Sequence, residues 1–153
     1  MKEGILMTTI DRMTIADYDD AFDVWIHTPG MGLNTTDDGR EGIARFLARN
    51  PATCFVARDG QTVVGTILAG YDGRRGYIYH TAVRPAYRGQ GIARALVDAA
   101  MRALEAEGAT KVALVAFRRN EEGNAFWERI GFTTREDLHY RNKNIQELIW
   151  IDP

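Results

Sequence analysis

The chain has 153 residues, of which 45% are hydrophobic and 26% charged, with a formal net charge of −2. A chain of this size buries about 70% of its unfolded surface without staples, so residues 1–153 read as one domain with no linker, repeat or low-complexity tract, and its charge gives no basic face for nucleic acid. No run approaches the ~18 apolar residues of a membrane span, and the single cysteine, Cys54, excludes an intramolecular disulfide and suits a reducing cytoplasm.

Residues 1–7 read as a flexible N-terminal extension, with neither the apolar core nor the cleavage site of a signal peptide. Thr9–Arg12 alternates as a short strand. Thr14 with Asp17 is a variant capping box, and Phe22, Trp25 and Ile26 carry a first helix to about His27. Pro29 and Gly30 end it. A loop over 28–36 follows, and Asp37 or Asp38 is placed to cap a second helix with Ile43, Phe46 and Leu47 on its apolar face. Asn50-Pro51 stops that helix.

Strands are expected over 53–58 and 63–71, joined at the hairpin signal Asp59-Gly60. Cys54 falls in the first of them and reads as an inert core thiol. After the turn Asp72 to Gly76, the aromatic and β-branched run 77–83 is a fourth strand, ended by Pro85. A long helix spans about 91–107, with Ala93, Leu96, Val97, Ala100 and Leu104 on one stripe and Gly108 as its C-cap. The run 111–117, apolar through its middle, reads as a central fifth strand. A short helix over 121–130 and a last strand or hairpin within 138–151 complete the order β-α-α-β-β-β-α-β-α-β. That is an α/β (mixed α+β) fold, a mixed, mostly antiparallel sheet with helices on both faces.

The segment from Val83 to Ala93 joins a strand to the start of the long helix. Gly89 and Gly91 permit a tight turn and close approach of a ligand to backbone N–H groups. The first helical amides are unpaired and carry the positive end of the macrodipole. Arg88, Gly89, Gln90, Gly91, Ile92 and Ala93 therefore form a candidate pyrophosphate cradle, with Arg84 and Arg94 as further phosphate partners. The spacing fits neither a dinucleotide-binding Gly-x-Gly-x-x-Gly turn nor a phosphate loop ending in Gly-Lys-Ser/Thr.

This segment resembles the acetyl-CoA signature of the GNAT superfamily of N-acetyltransferases, Arg/Gln-x-x-Gly-x-Gly/Ala, filled by Arg88, Gly91 and Ala93. The approach Ala82-Val83-x-Pro85-x-Tyr87-Arg88-Gly89 also matches. So does a second signature, Asn120 followed by Phe126-Trp127-Glu128-Arg129-Ile130-Gly131-Phe132. The resemblance implies acetyl-CoA as co-substrate, a fourth and fifth strand that splay to admit its pantetheine arm, and contacts from the backbone of Ala82 and Val83 and from Asn120. It implies direct acetyl transfer to a primary amine, with a small-molecule amine as the partner and no metal. A homodimer is kept open. Other readings of the same residues are a protein Lys or N-terminal acetyltransferase, a non-catalytic acyl-CoA-binding regulator, and a nucleotide module unrelated to CoA.

The chain departs from the family in two places. The tyrosine that serves many relatives as proton donor is replaced by Trp127, which reads as a wall of the cofactor site. The glutamate of the ribosomal-protein subgroup is replaced by Val115. The catalytic candidates are therefore Tyr79 and His80. Strand alternation puts Tyr77, Tyr79 and Thr81 on one face and His80 on the other unless a bulge shifts the register. For the acceptor, Trp25 and Met31 beside the 28–36 loop and Arg74 and Arg75 at the 72–76 turn are candidates.

Overall fold

The computed structural model describes residues 8–151, so the N-terminal extension lies outside the described residues. The elements are β1 (Thr8–Arg12), α1 (Tyr18–Ile26), α2 (Arg40–Arg49), β2 (Phe55–Asp59), β3 (Thr62–Tyr71), β4 (Gly76–Val83), α3 (Ile92–Glu107), β5 (Val112–Ala113) and α4 (Glu121–Arg129). They form one sheet in the order β1-β2-β3-β4-β5, antiparallel except for the parallel pair β4–β5. Alternation along the strands feeds two cores. Trp25, Leu33, Ile43, Leu47, Cys54 and Val56 pack under α1 and α2, and Ile67, Ile78, Val83, Leu96, Val97 and Leu104 pack under α3 and α4. Among the described residues no helix is long and apolar enough to cross a membrane.

The helix starts follow local hydrogen-bond demand. The Thr14 N–H donates to Asp17 Oδ2 at 3.0 Å, as the capping box requires, and a short 3₁₀ turn (Ile15–Asp17) leads into α1. The cap of α2 differs from expectation. Its N-cap is Gly39, and Asn34 Oδ1 receives the N–H groups of Thr36 (3.0 Å) and Asp37 (2.7 Å) ahead of it. Asp38 is free of capping duty and turns inward, 4% exposed.

Two strand expectations are corrected. β5 is an edge strand of two residues, not a long central one, and Val115 and Phe117 beyond it are exposed. An apolar run records burial tendency, not sheet position, and here only Val112 and Ala113 find partners on β4. The segment 138–151 forms no strand. It makes one isolated bridge, Trp150 with Asn34, and leaves Leu138, Tyr140, Ile145 and Ile149 exposed.

Candidate functional site

The pairing of β4 sets up the site. Gly76 and Tyr77 pair with Val112 and Ala113, and no residue of β4 past Tyr77 has a partner on β5. From Tyr79 to Val83 that edge of β4 pairs with no strand among the described residues, as the expected splay requires. Arg84 N–H donates to Val64 O at 2.8 Å on the β3 side. Consecutive amides of a strand point to opposite edges, so the Val83 N–H belongs to the open edge.

The glycine loop stands where β4 ends. Gly89 (φ 77°) and Gly91 (φ 83°) occupy the left-handed region, and a Cβ built on either would meet no atom within 4 Å. No described residue fills the space beside the loop backbone, and the N-terminus of α3 opens next to it with Gly91 as N-cap. Free amides, a dipole end and unfilled space fit a pyrophosphate. Arg88 Nε donates to Val83 O at 2.9 Å, which ties its side chain to the end of β4. Gln90 is exposed, and the Ile92 side chain is buried in the α3/α4 core. Arg94 is exposed and pairs with Asp98 at 3.4 Å. Arg84 donates to Val63 O and pairs with Asp23 Oδ2 at 2.7 Å, so it joins α1 to the sheet.

Asn120 is the N-cap of α4, its Oδ1 accepting the Gly123 N–H at 3.0 Å. That gives this asparagine a structural duty that the resemblance alone does not reveal. Trp127 packs edge-on against Phe126 and Phe132 in the α3/α4 core.

The strand face of His80 is settled by a bulge. Leu68 faces Tyr79 and Thr66 faces Ala82, so β4 uses three steps where β3 uses two. His80 has φ 38°, the one positive value outside glycine among the described residues. The extra residue turns His80 to the α1/α2 face. Its ring packs edge-on to Trp25 at 4.9 Å, and its Nε2 lies 2.6 Å from Asp38 Oδ1. Tyr79 stands nearby on the same face, packed against Phe46 and Tyr77. Burial first, and then the neighbouring Tyr140 and Asp37, raise the Tyr79 hydroxyl above the usual phenol value. At neutral pH the Tyr79 hydroxyl therefore stays protonated.

The acceptor candidates separate. Trp25 is fully buried, with its indole N–H on Thr66 Oγ1 at 2.9 Å, so it backs His80 and offers no substrate surface. Met31 packs at the edge of the α1/α2 core. Gly30 and Gly32 of the 28–36 loop face the ring of Phe117, which follows β5, so this loop approaches the far wall of the splay. Arg74 and Arg75 sit at the β3–β4 hairpin tip, where Asp72 Oδ1 accepts both N–H groups at 2.7 Å and Arg75 reaches Thr110. That tip is the closed end of the β4–β5 pair, and the structure does not bring it to His80. Sequence reasoning missed Asp38 and Thr66 as neighbours of His80. They lie 42 and 14 residues away, and no local signal joins them.

The profile of the acetyltransferase (GNAT) family matches residues 18–132. An acetyltransferase of Yersinia pestis (strain Pestoides F) is 30% identical over 122 residues, covering 80% of this chain and 85% of the relative. One of Photorhabdus laumondii is 34% identical over 120 residues, covering 78% and 82%. Among solved structures, Ard1 from Thermoplasma volcanium superposes with a TM-score of 0.74 at 21% identity, covering 82% of each chain. The aminoglycoside N-acetyltransferase AAC(6')-Iy in complex with CoA superposes at 0.71 and 16% identity, covering 94% of this chain and 99% of that one. The chain thus belongs to the GNAT family of acetyltransferases and is an acetyl-CoA-dependent acyltransferase.

Proposed function

We propose that this enzyme moves an acetyl group from acetyl-CoA to the primary amine of a small molecule, by direct transfer in a ternary complex. The observation that carries the reading is the open edge of β4 with the glycine loop and the start of α3 at its end. The loop amides from Gly89 to Arg94 hold the pyrophosphate, with Arg88 beside them. The pantetheine arm lies along Ala82 and Val83, toward Asn120 and Trp127. The acetyl group comes to rest near Tyr79 and His80.

The chemistry follows from the groups present. The amine nitrogen attacks the thioester carbonyl carbon while His80 takes the proton that the nitrogen must lose. A β4 amide on the open edge stabilises the oxyanion. Collapse breaks the C–S bond, and the thiolate leaves as CoA after taking a proton. Tyr79, held protonated, is the nearest donor for that step.

Aminoglycoside acetyltransferases among the structural neighbours support a small-molecule acceptor. A protein acceptor is the second reading, supported by the Ard1 and ribosomal-protein-alanine N-acetyltransferase neighbours. The first test is thermal unfolding with acetyl-CoA, CoA, NAD and ATP. Acetyl-CoA at ~100 times its Kd stabilises by ~2.7 kcal/mol, a shift of several degrees. Shifts with acetyl-CoA and CoA alone are expected. No shift at millimolar acetyl-CoA overturns the cofactor placement, and acetylation of peptides but of no small amine overturns the choice of acceptor.

A further inference from the structure

We infer that Asp38 is the positioning residue of acyl transfer, fixing His80 in the tautomer whose Nδ1 accepts the proton of the attacking amine. This rests on the functional reading above and assigns a role to a residue 42 positions away from the histidine it serves.

A neutral imidazole has one N–H and one bare nitrogen, and its hydrogen-bond partner decides which is which. A carboxylate only accepts, so at 2.6 Å from Asp38 Oδ1 the proton resides on Nε2. Nδ1 is left bare, with no hydrogen-bond partner among the described residues. The Asp38 side chain is only 6% exposed, and its second oxygen accepts the Asn34 N–H at 2.9 Å, so the carboxylate has little freedom to turn.

The supports of this pair form a closed arrangement. Asn34 is held by the N–H groups of Thr36 and Asp37 on its Oδ1 and by Asp37 Oδ2 on its amide. A Cβ at Gly42 would collide with the Thr36 and Asp37 carbonyls, so the start of α2 packs directly on this segment. The Tyr18 hydroxyl donates to Asp38 O at 2.7 Å from α1. On the histidine side, Trp25 packs edge-on to the ring and donates to Thr66 Oγ1, which in turn donates to His80 O at 3.0 Å. Asp38 and Trp25 hold the ring, and Thr66 holds the backbone. The left-handed φ of His80 costs on the order of 1–3 kcal/mol and persists only because its surroundings over-determine it. The bulge in β4 puts His80 in this conformation, and Asp38, Trp25 and Thr66 together hold its ring and carbonyl there.

Two readouts test the role. In the wild type, nitrogen-15 spectra of the three histidines, assigned with His80→Gln, are expected to show neutral His80 protonated on Nε2 and bare on Nδ1. Asp38→Asn, whose amide can donate or accept, is expected to mix the tautomers. In parallel, CoA release from acetyl-CoA is followed with tyramine, spermidine, a peptide amine and water alone as acceptors. Asp38→Asn is expected to lower kcat 10–100-fold, with the KM for acetyl-CoA and its calorimetric Kd unchanged. A neutral His80 carrying its proton on Nδ1, wild-type kcat in Asp38→Asn, or no CoA release to any acceptor while acetyl-CoA binds would each overturn the proposal. Failure of the functional reading looks different, because the wild type then does not bind acetyl-CoA even though the tautomer is as expected.

Discussion

Cys54 is the chain's one thiol, and burial decides what it can do. It lies 1% exposed in the α1/α2 core with its Sγ toward Ala69 O, and desolvation pushes its pKa up to about 11. At pH 8 about one molecule in a thousand carries the thiolate, so native protein is expected to resist iodoacetamide and to react only on unfolding. Alkylation of the folded state at the rate of a free thiol would refute this. The same shift has a stability consequence. The unfolded thiol ionises near ~8.5 and the folded one much higher, so the contribution is whole below pH ~8.5 and is lost as pH rises toward 11. Denaturant midpoints of Cys54→Ala are expected to fall less steeply over that range than those of the wild type. Sequence reading reached this residue because a lone cysteine amid Thr53, Phe55 and Val56 is locally legible as core. It could not choose a face for His80, because alternation along Tyr77–Val83 carries no mark of the extra residue in the bulge. Asp37 and Asp38 both read as candidate caps, because an acid before a helix is ordinarily one. Only the fold shows that Asn34 and Gly39 do the work at that helix start and release Asp38 to His80.

At the scale of elements, the start of α3 is where sequence and structure agree most closely, because its signal is local. Glycines at two fixed offsets before an amphipathic stripe dictate both the left-handed turn and the exposed amides. Gly91→Val tests that element. The vacant space around its Cβ means no collision, so the cost is the left-handed backbone, roughly 1–2 kcal/mol. A lower melting temperature with secondary structure retained is expected, together with loss of acetyl-CoA binding by calorimetry. Wild-type affinity in the folded variant would move the cofactor away from this loop. β5 is the opposite case. Its apolar run is visible, but the partner it lacks is not, because strand pairing is decided by distant residues and by where the two neighbours diverge.

Across the whole molecule, the segment after α4 links the far end of the chain to the site. It leaves Leu138, Tyr140, Ile145 and Ile149 exposed, yet it is held at its end. The Thr35 N–H donates to Ile149 O at 3.0 Å, and the Ile151 N–H donates to Leu33 O at 2.8 Å. Those bonds hold the same short stretch whose Asn34 engages Asp38, and Tyr140 lies close enough to Tyr77 and Tyr79 to raise both hydroxyls after the larger effect of burial. A last strand or hairpin is the expectation for this stretch, but its apolar residues at 138, 140, 145 and 148–151 mark a tendency to be buried and name no partner strand. Truncation after Ile145 removes both bonds, a loss of about 1–3 kcal/mol, and leaves β4, the glycine loop and α3 in place. The expected outcome is a lower unfolding midpoint and reduced kcat, with acetyl-CoA affinity retained, because the change reaches the proton-accepting side of the site and not the cofactor loop. Isothermal titration beside steady-state kinetics on the truncated chain separates the two. Unchanged kcat would mean that the 33–38 stretch holds its geometry without the C-terminal segment, and lost acetyl-CoA affinity would mean that the segment belongs to the cofactor side instead.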